Sequence, residues 1–306
     1  MNGLDFSNPL LVSAIKAHRP SSPLFALTVC FLAMFVGLLA GPRLDGILPH
    51  PTDADAVLNL AAARAMRVVC IFAAFYAVPL GVALAWERRP AVRTPVGMFR
   101  AALLGVSSGV VGLAVALLLA AGLGAATLAP LAPLGAGTLA LGVAISACIT
   151  LSQAAAEEIL FRYWLLPVLA SRWGVWAGLG VTALLFAAAH LVIGTASPLG
   201  LLNIFLAGVL FGLLVLRTGR LSAAIGAHWA WNWCERSIAG AVPNPGIDRL
   251  GSLFNVELAG PALLGGSREG LNGAIEVSLA LLLLIGLCAA LPERAAAPHL
   301  WRVRQE

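Results

Sequence analysis

Residues 136–165 read AGTLALGVAISACITLSQAAAEEILFRYWL. The run is uncharged and largely apolar through Ala156, long enough for the roughly 20 residues that cross the hydrocarbon core of a bilayer. It then meets Glu157, Glu158 and Arg162. Ionisable groups in or beside a membrane span cost at least a few kcal/mol each, and are retained where they do chemistry. The stretch therefore reads as a membrane helix with a polar site at one end.

The rest of the chain fits that environment. It has 306 residues, of which 60% are hydrophobic and 11% charged, with a mean hydropathy of +0.93. Soluble domains carry roughly 25% charged residues, so much of this surface must face lipid. Further spans are expected at 24–40, 68–86, 101–123, 175–193, 199–216, 221–239 and 275–291. The fold class is an all-α membrane protein of about eight transmembrane helices, with a catalytic helix bundle in the C-terminal half. Outer connections are expected at 41–67 and 240–274, the second rich in Gly and Pro and placed to cap the bundle. Gly37/Gly41, Gly174/Gly178 and Gly208/Gly212 are small-xxx-small pairs suited to close helix approach.

The net charge of +5 does not point to nucleic acid, because no basic stretch is interleaved with exposed aromatics. Lys16, Arg19, Arg88, Arg89, Arg93, Arg100, Arg162, Arg172, Arg217, Arg220, Arg294, Arg302 and Arg304 fall on one side of the expected topology. Arg43, Arg64, Arg67, Arg236, Arg249 and Arg268 fall on the other. The positive-inside rule then puts both termini in the cytoplasm of a multi-pass cell (inner) membrane protein. The first span lacks a clear cleavage site after its long apolar run and reads as an uncleaved anchor. Cys30, Cys70, Cys148, Cys234 and Cys288 have no metal or CxxC spacing and read as buried thiols.

Helical geometry assigns provisional roles to the polar set. Glu158 and Arg162 stand four apart with the acid first, the order that favours an ion pair. Glu157 points about 100° away around the helix. It is left to face a cavity with a like charge beside it, the surroundings of a general base. His228 and Asn232 are four apart on another span and share a face from which both can donate to a developing oxyanion. His190, from a third helix, can complete a water-activating pair with Glu157. Glu235 shares the face of His228, and is read as interfacial beside Arg236 or as a supporting acid. Asn203 is expected to bond between helices, Glu276 to lie at the interface, and Trp229, Trp231 and Trp233 to pack or anchor.

The EExxxR of 157–162, the FxxxH of 186–190 and the HxxxN of 228–232 occur in order on separate apolar helices. Through them the chain resembles the CPBP family of intramembrane proteases, which includes type II CAAX prenyl endopeptidases and bacterial Abi and bacteriocin-processing relatives. The resemblance spans roughly residues 140–240. It implies a conical site in the membrane, open to the cytoplasmic side, where Glu157 and His190 activate water. His228 and Asn232 would stabilise the tetrahedral intermediate, with Glu158 and Arg162 supporting. It also implies three regions: 1–135 as an N-terminal transmembrane part adapting the enzyme to its substrate, 136–291 as the protease domain, and 292–306 as a cytoplasmic tail.

Two questions stay open at this level. Glu157, His190 and His228 have the His2Glu composition of a catalytic zinc site. No HExxH is present, however, and a metal-free glutamate mechanism is the preferred expectation, with no cofactor. The expected partners are the lipid bilayer and a peptide or membrane-anchored protein, CAAX-like or otherwise. The rival to an endopeptidase is a transporter or proton relay using the same buried groups, with a non-catalytic scaffold as a third reading.

Overall fold

The computed structural model describes residues 8–45, 56–90, 97–131, 134–191, 197–241, 250–265 and 267–290. The expected tail 292–306, and the prolines and aspartates at 49–55, lie outside the described residues. Helices occupy all eight stretches read as spans. They are α2 (Pro23–Asp45), α3 (Ala56–Gly81), α4 (Met98–Gly122), α5 (Ala136–Glu158), α7 (Val175–Leu191), α8 (Pro198–Thr218), α9 (Leu221–Trp233) and α10 (Ile275–Ala290). A short α1 (Pro9–Ile15) precedes them, and α6 (Leu166–Trp173) follows α5. Among the described residues, four helical stretches are both long and apolar enough to cross a membrane: 68–86, 98–122, 136–173 and 198–218. Apolar stretches at 23–37, 175–191 and 275–290 are shorter. Large apolar side chains such as Leu84, Leu118, Leu184 and Leu282 stand exposed on the helix surfaces, as lipid-facing residues must. The protein is an all-α membrane protein but for one small ribbon among the described residues. Its strands β1 (Ala126–Leu128) and β2 (Val256–Leu258) pair antiparallel, Thr127 opposite Glu257.

The fourth expected span does not stop at residue 156. α5 passes through a π-helical segment, Ile159–Leu165, directly into α6. The continuous helix of 38 residues is about 57 Å long at about 1.5 Å per residue. Glu157, Glu158 and Arg162 are thus in the middle of a helix rather than at its end. Arg162 is 1% exposed and Arg89 6% exposed, and Arg236 on the other side of the expected topology is also buried. These three are interior groups, so the inference of orientation rests on the other basic residues. Glu235 and Glu276 are likewise buried rather than interfacial. Of the cysteines, Cys30 and Cys288 are buried, Cys70 and Cys234 partly so, and Cys148 is exposed, against the expectation for that residue.

The closest helix packing is between α4 and α9. A Cβ on Gly105 would lie 2.0 Å from the Ala223 carbonyl oxygen, and one on Gly109 would lie 2.4 Å from that of Ala227. From the opposite side, Gly226 would meet the Ala102 oxygen at 2.7 Å. Backbones can approach so closely only where no side chain intervenes. The pairs singled out in the sequence behave unevenly. Gly178 packs on the Ala170 backbone and Gly208 on Ala183, whereas Gly174, with a φ of +87°, has open space and forms the turn into α7.

Trp229 and Trp233 fasten α9 to α5. Their rings stack 5.4 Å apart, and their Nε1–H groups donate to the Ala147 and Val143 carbonyls at 2.9 and 3.1 Å. At the other end of the bundle, Asn8 caps α1 and donates to Val215 and Leu216 at the close of α8.

Gly105→Ala is expected to lower stability by about 1–3 kcal/mol, the usual cost of overpacking, read as a fall in the thermal midpoint of purified protein. Gly122→Ala, in the same helix but with open space around it, serves as the neutral control. Equal midpoints for the two variants would contradict the packing.

Candidate active site

The motif residues come from α5, its π segment, α7 and α9, and they form one cluster, buried except for the half-buried His190. Glu158 is fully buried and holds two partners with one oxygen. Arg162 Nη1 donates to its Oε1 at 2.8 Å, and His228 Nδ1 approaches the same atom at 2.9 Å. The second guanidinium arm donates from Nη2 to the Gly208 carbonyl of α8 at 3.2 Å. The rings of Phe186, Phe211 and Phe161 stand 4.3, 5.4 and 5.7 Å from Arg162 Cζ. A guanidinium removed from water is thereby met by a carboxylate, a carbonyl and aromatic faces, which makes its burial tolerable.

Glu157 looks the other way, as its position on the helix requires. Gln153, one turn earlier, donates from Nε2 to Glu157 Oε1 at 3.2 Å. Glu157 Oε2 is buried with no hydrogen-bond partner among the described residues, and lies 3.8 Å from His228 Nε2. A carboxylate oxygen left unpaired in an apolar surrounding is costly, and it is available to a small polar molecule.

Both histidines present Nε2 as their open nitrogen. In His190, Nδ1 stands 2.8 Å from the Phe186 carbonyl of its own helix. A carbonyl only accepts, so this nitrogen carries the proton. In His228, Nδ1 faces Glu158, and the ring is stacked on Phe211 with centroids 4.9 Å apart. Phe186 sits edge-on to both imidazoles. His190, His228 and Asn232 line one cavity of about 50 Å³, together with Trp231, Asn203 and Asn272. That volume exceeds what a water requires, and the lining offers several polar partners. A second, more apolar cavity also meets His190. It reaches Glu157 and Gln153 between Met34, Ile71, Phe72 and Phe75 of α2 and α3.

The structure therefore assembles Glu157, Glu158, Arg162, His190, His228 and Asn232 around one place. Asn203 bonds between segments as expected, donating to the Asn272 and Ala274 carbonyls at 2.8 Å each. Sequence reasoning missed Gln153, Phe211 and Asn272. Gln153 carried a usable signal, an amide four residues before the candidate base. Phe211 and Asn272 carried none, because only tertiary packing brings them here. Trp231 joins the cavity while its neighbours Trp229 and Trp233 do not.

Glu157, His190 and His228 are the residues that would hold a zinc ion, and Glu157 Oε2 lies 3.8 Å from His228 Nε2. Among the described residues, no three His, Cys, Asp or Glu side chains are grouped to hold a metal ion.

Removing Arg162 leaves Glu158 buried and under-compensated. Arg162→Ala is expected to cost about 3–5 kcal/mol of stability, measured as a loss of thermal midpoint. Arg162→Lys should recover only part of it, since an ammonium lacks the planar fork that reaches both Glu158 and Gly208. Full recovery with Lys would show that charge alone suffices.

All six motif residues fall within residues 138–234, which match the family model described as "Type II CAAX prenyl endopeptidase Rce1-like". No curated protein and no solved structure matches the chain. The matched segment carries α5 to α9, the whole constellation of carboxylates, imidazoles and amide just described. Over that segment, with its three motifs, the chain is similar to the CPBP family of intramembrane proteases.

Proposed function

We propose that the protein is an intramembrane endopeptidase of eight spans in which Glu157 acts as the general base on a water molecule, without a metal. The observation that carries this reading is the unpaired, buried Oε2 of Glu157 beside the open nitrogens of the cluster. His190 lines both the cavity that holds His228 and Asn232 and the cavity that reaches Glu157.

In this reading a water sits between Glu157 and His190. His190 Nε2, with Nδ1 fixed on the Phe186 carbonyl, accepts one hydrogen bond and orients the oxygen. Glu157 takes a proton as the oxygen attacks the scissile carbonyl carbon. The resulting oxyanion receives hydrogen bonds from the Asn232 amide and from His228, whose Nε2 donates when the ring is protonated. Glu157 then returns its proton to the amide nitrogen as the C–N bond breaks, releasing an acid and an amine. Glu158 and Arg162 do not touch the substrate. They hold the His228 ring in place through Nδ1. The apolar cavity between α2 and α3 supports a substrate that arrives from the bilayer with apolar groups next to the cleaved bond. A peptide or membrane-anchored protein satisfies this, and residues 1–135 supply part of the cavity wall.

Glu157→Gln is expected to lower cleavage by about 10²–10⁴-fold, the range of general acid–base catalysis, while the protein still inserts and folds. The assay is mass spectrometry of products from membrane-anchored peptides in proteoliposomes. His190→Ala should be comparably impaired. Wild-type turnover by either purified variant would remove the mechanism.

Chelation with 1,10-phenanthroline should leave turnover unchanged. Loss of activity restored by added zinc would overturn the metal-free step.

A further inference from the structure

α3 ends in a π segment, Val82–Trp86, after which burial alternates: Glu87 is buried, Arg88 exposed and Arg89 buried. The turn that produces this alternation is strained. Arg88 has a φ of +50°, the one positive value at a non-glycine residue among those described, a conformation that costs energy and needs the surroundings to hold it. Its effect is to turn both Glu87 and Arg89 inward, where they form an ion pair, with side chains 1% and 2% exposed. The turn is tied further by the Arg89 amide donating to the Ala83 carbonyl at 3.0 Å, and by the Arg19 amide donating to that of Glu87 at 3.2 Å.

The remaining arms of Arg89 reach the helix that carries the site. Nη1 donates to the Tyr163 carbonyl at 3.3 Å and Nη2 to the Trp164 carbonyl at 3.5 Å. Tyr163 lies four residues before Pro167. Pro167 offers no amide to the preceding turn, so the carbonyls at the end of the π segment, that of Tyr163 among them, share one donor fewer. The π segment 159–165 is where the helix accommodates that lack, and it begins immediately after Glu157 and Glu158.

We propose that Arg89 is a positioning residue: its guanidinium stands in for the amide missing at Pro167, and so fixes the turn that aims Glu157 and Arg162. Glu87 holds the guanidinium in place, and the strained Arg88 is the cost of that placement. The catalytic consequence rests on the peptidase reading above, while the structural coupling of Arg89 to Pro167 does not. Arg89 lies outside the segment 138–234 that matches the family model.

The test is a double-mutant cycle in full-length protein, comparing Arg89→Met, Pro167→Ala and the pair. Thermal midpoint, kcat and KM are measured on a cleaved peptide. Arg89→Met is expected to lower kcat at least tenfold with KM within about twofold. In the Pro167→Ala background, where the amide is restored, the same change should cost threefold or less. The fall in thermal midpoint should shrink in parallel. Equal losses in both backgrounds, or wild-type kcat in Arg89→Met, would overturn the proposal. If Arg89→Met does not fold, the cycle is run with Arg89→Lys, which keeps the pair with Glu87 but cannot span two carbonyls. The same coupling is expected there, and its absence is equally fatal. Glu157→Gln is assayed alongside. Undiminished cleavage by it would sink the peptidase reading, while the midpoint coupling would still judge the role of Arg89.

Discussion

One oxygen atom of Glu158 organises the middle of this molecule. It accepts from Arg162 within its own helix and meets His228 from α9. A carboxylate with no exposure to solvent or lipid must be matched locally. Matching it ties the π segment of the long helix to α9, and through the other arm of Arg162 to α8. The aromatic box of Phe161, Phe186 and Phe211 follows from the same need, since it shields the guanidinium and also carries the two imidazoles. Glu157 is exempt from all of this. Adjacent carboxylates on one helix are thereby separated, by a rotation of about 100°, into one held by Arg162 and His228 and one whose Oε2 is left without a hydrogen bond.

The division between what could be read from the chain and what could not follows the range of the interactions. The Glu158–Arg162 pair and the opposite facing of Glu157 are local consequences of helix geometry, and both were legible. So were the helices themselves, because apolar length is a property of contiguous residues. The end of the fourth span was misplaced for a related reason. Charges after an apolar run normally mark the interface, and here they neutralise one another inside the protein while the helix continues to Trp173. Arg89 misled in the same way, since an Arg-Arg-Pro sequence looks like a loop. Besides Glu87, its partners are carbonyls more than seventy residues away.

Glycine spacing shows the limit of pattern alone. Gly105 and Gly109 have the same spacing as Gly174 and Gly178, yet the first pair admits another backbone and Gly174 makes a turn. Nothing in the spacing separates these uses, because the partner helix decides. The cavity-lining Asn272 was equally silent. It sits in a 3-10 turn, Gly270–Gly273, and reaches the site only because Asn203 binds the carbonyls of Asn272 and Ala274.

The bare seam between α4 and α9 constrains how such a protein can change. α9 carries His228 and Asn232, while α4 belongs to the part of the chain beyond the matched segment. Their backbones are in contact, so neither can drift alone. A bulkier residue on one demands a shift of the other, and that shift would be felt at the imidazole. Grafting the amino-terminal helices of one relative onto the core of another would therefore carry over a mould for the helix that bears the imidazole and the amide.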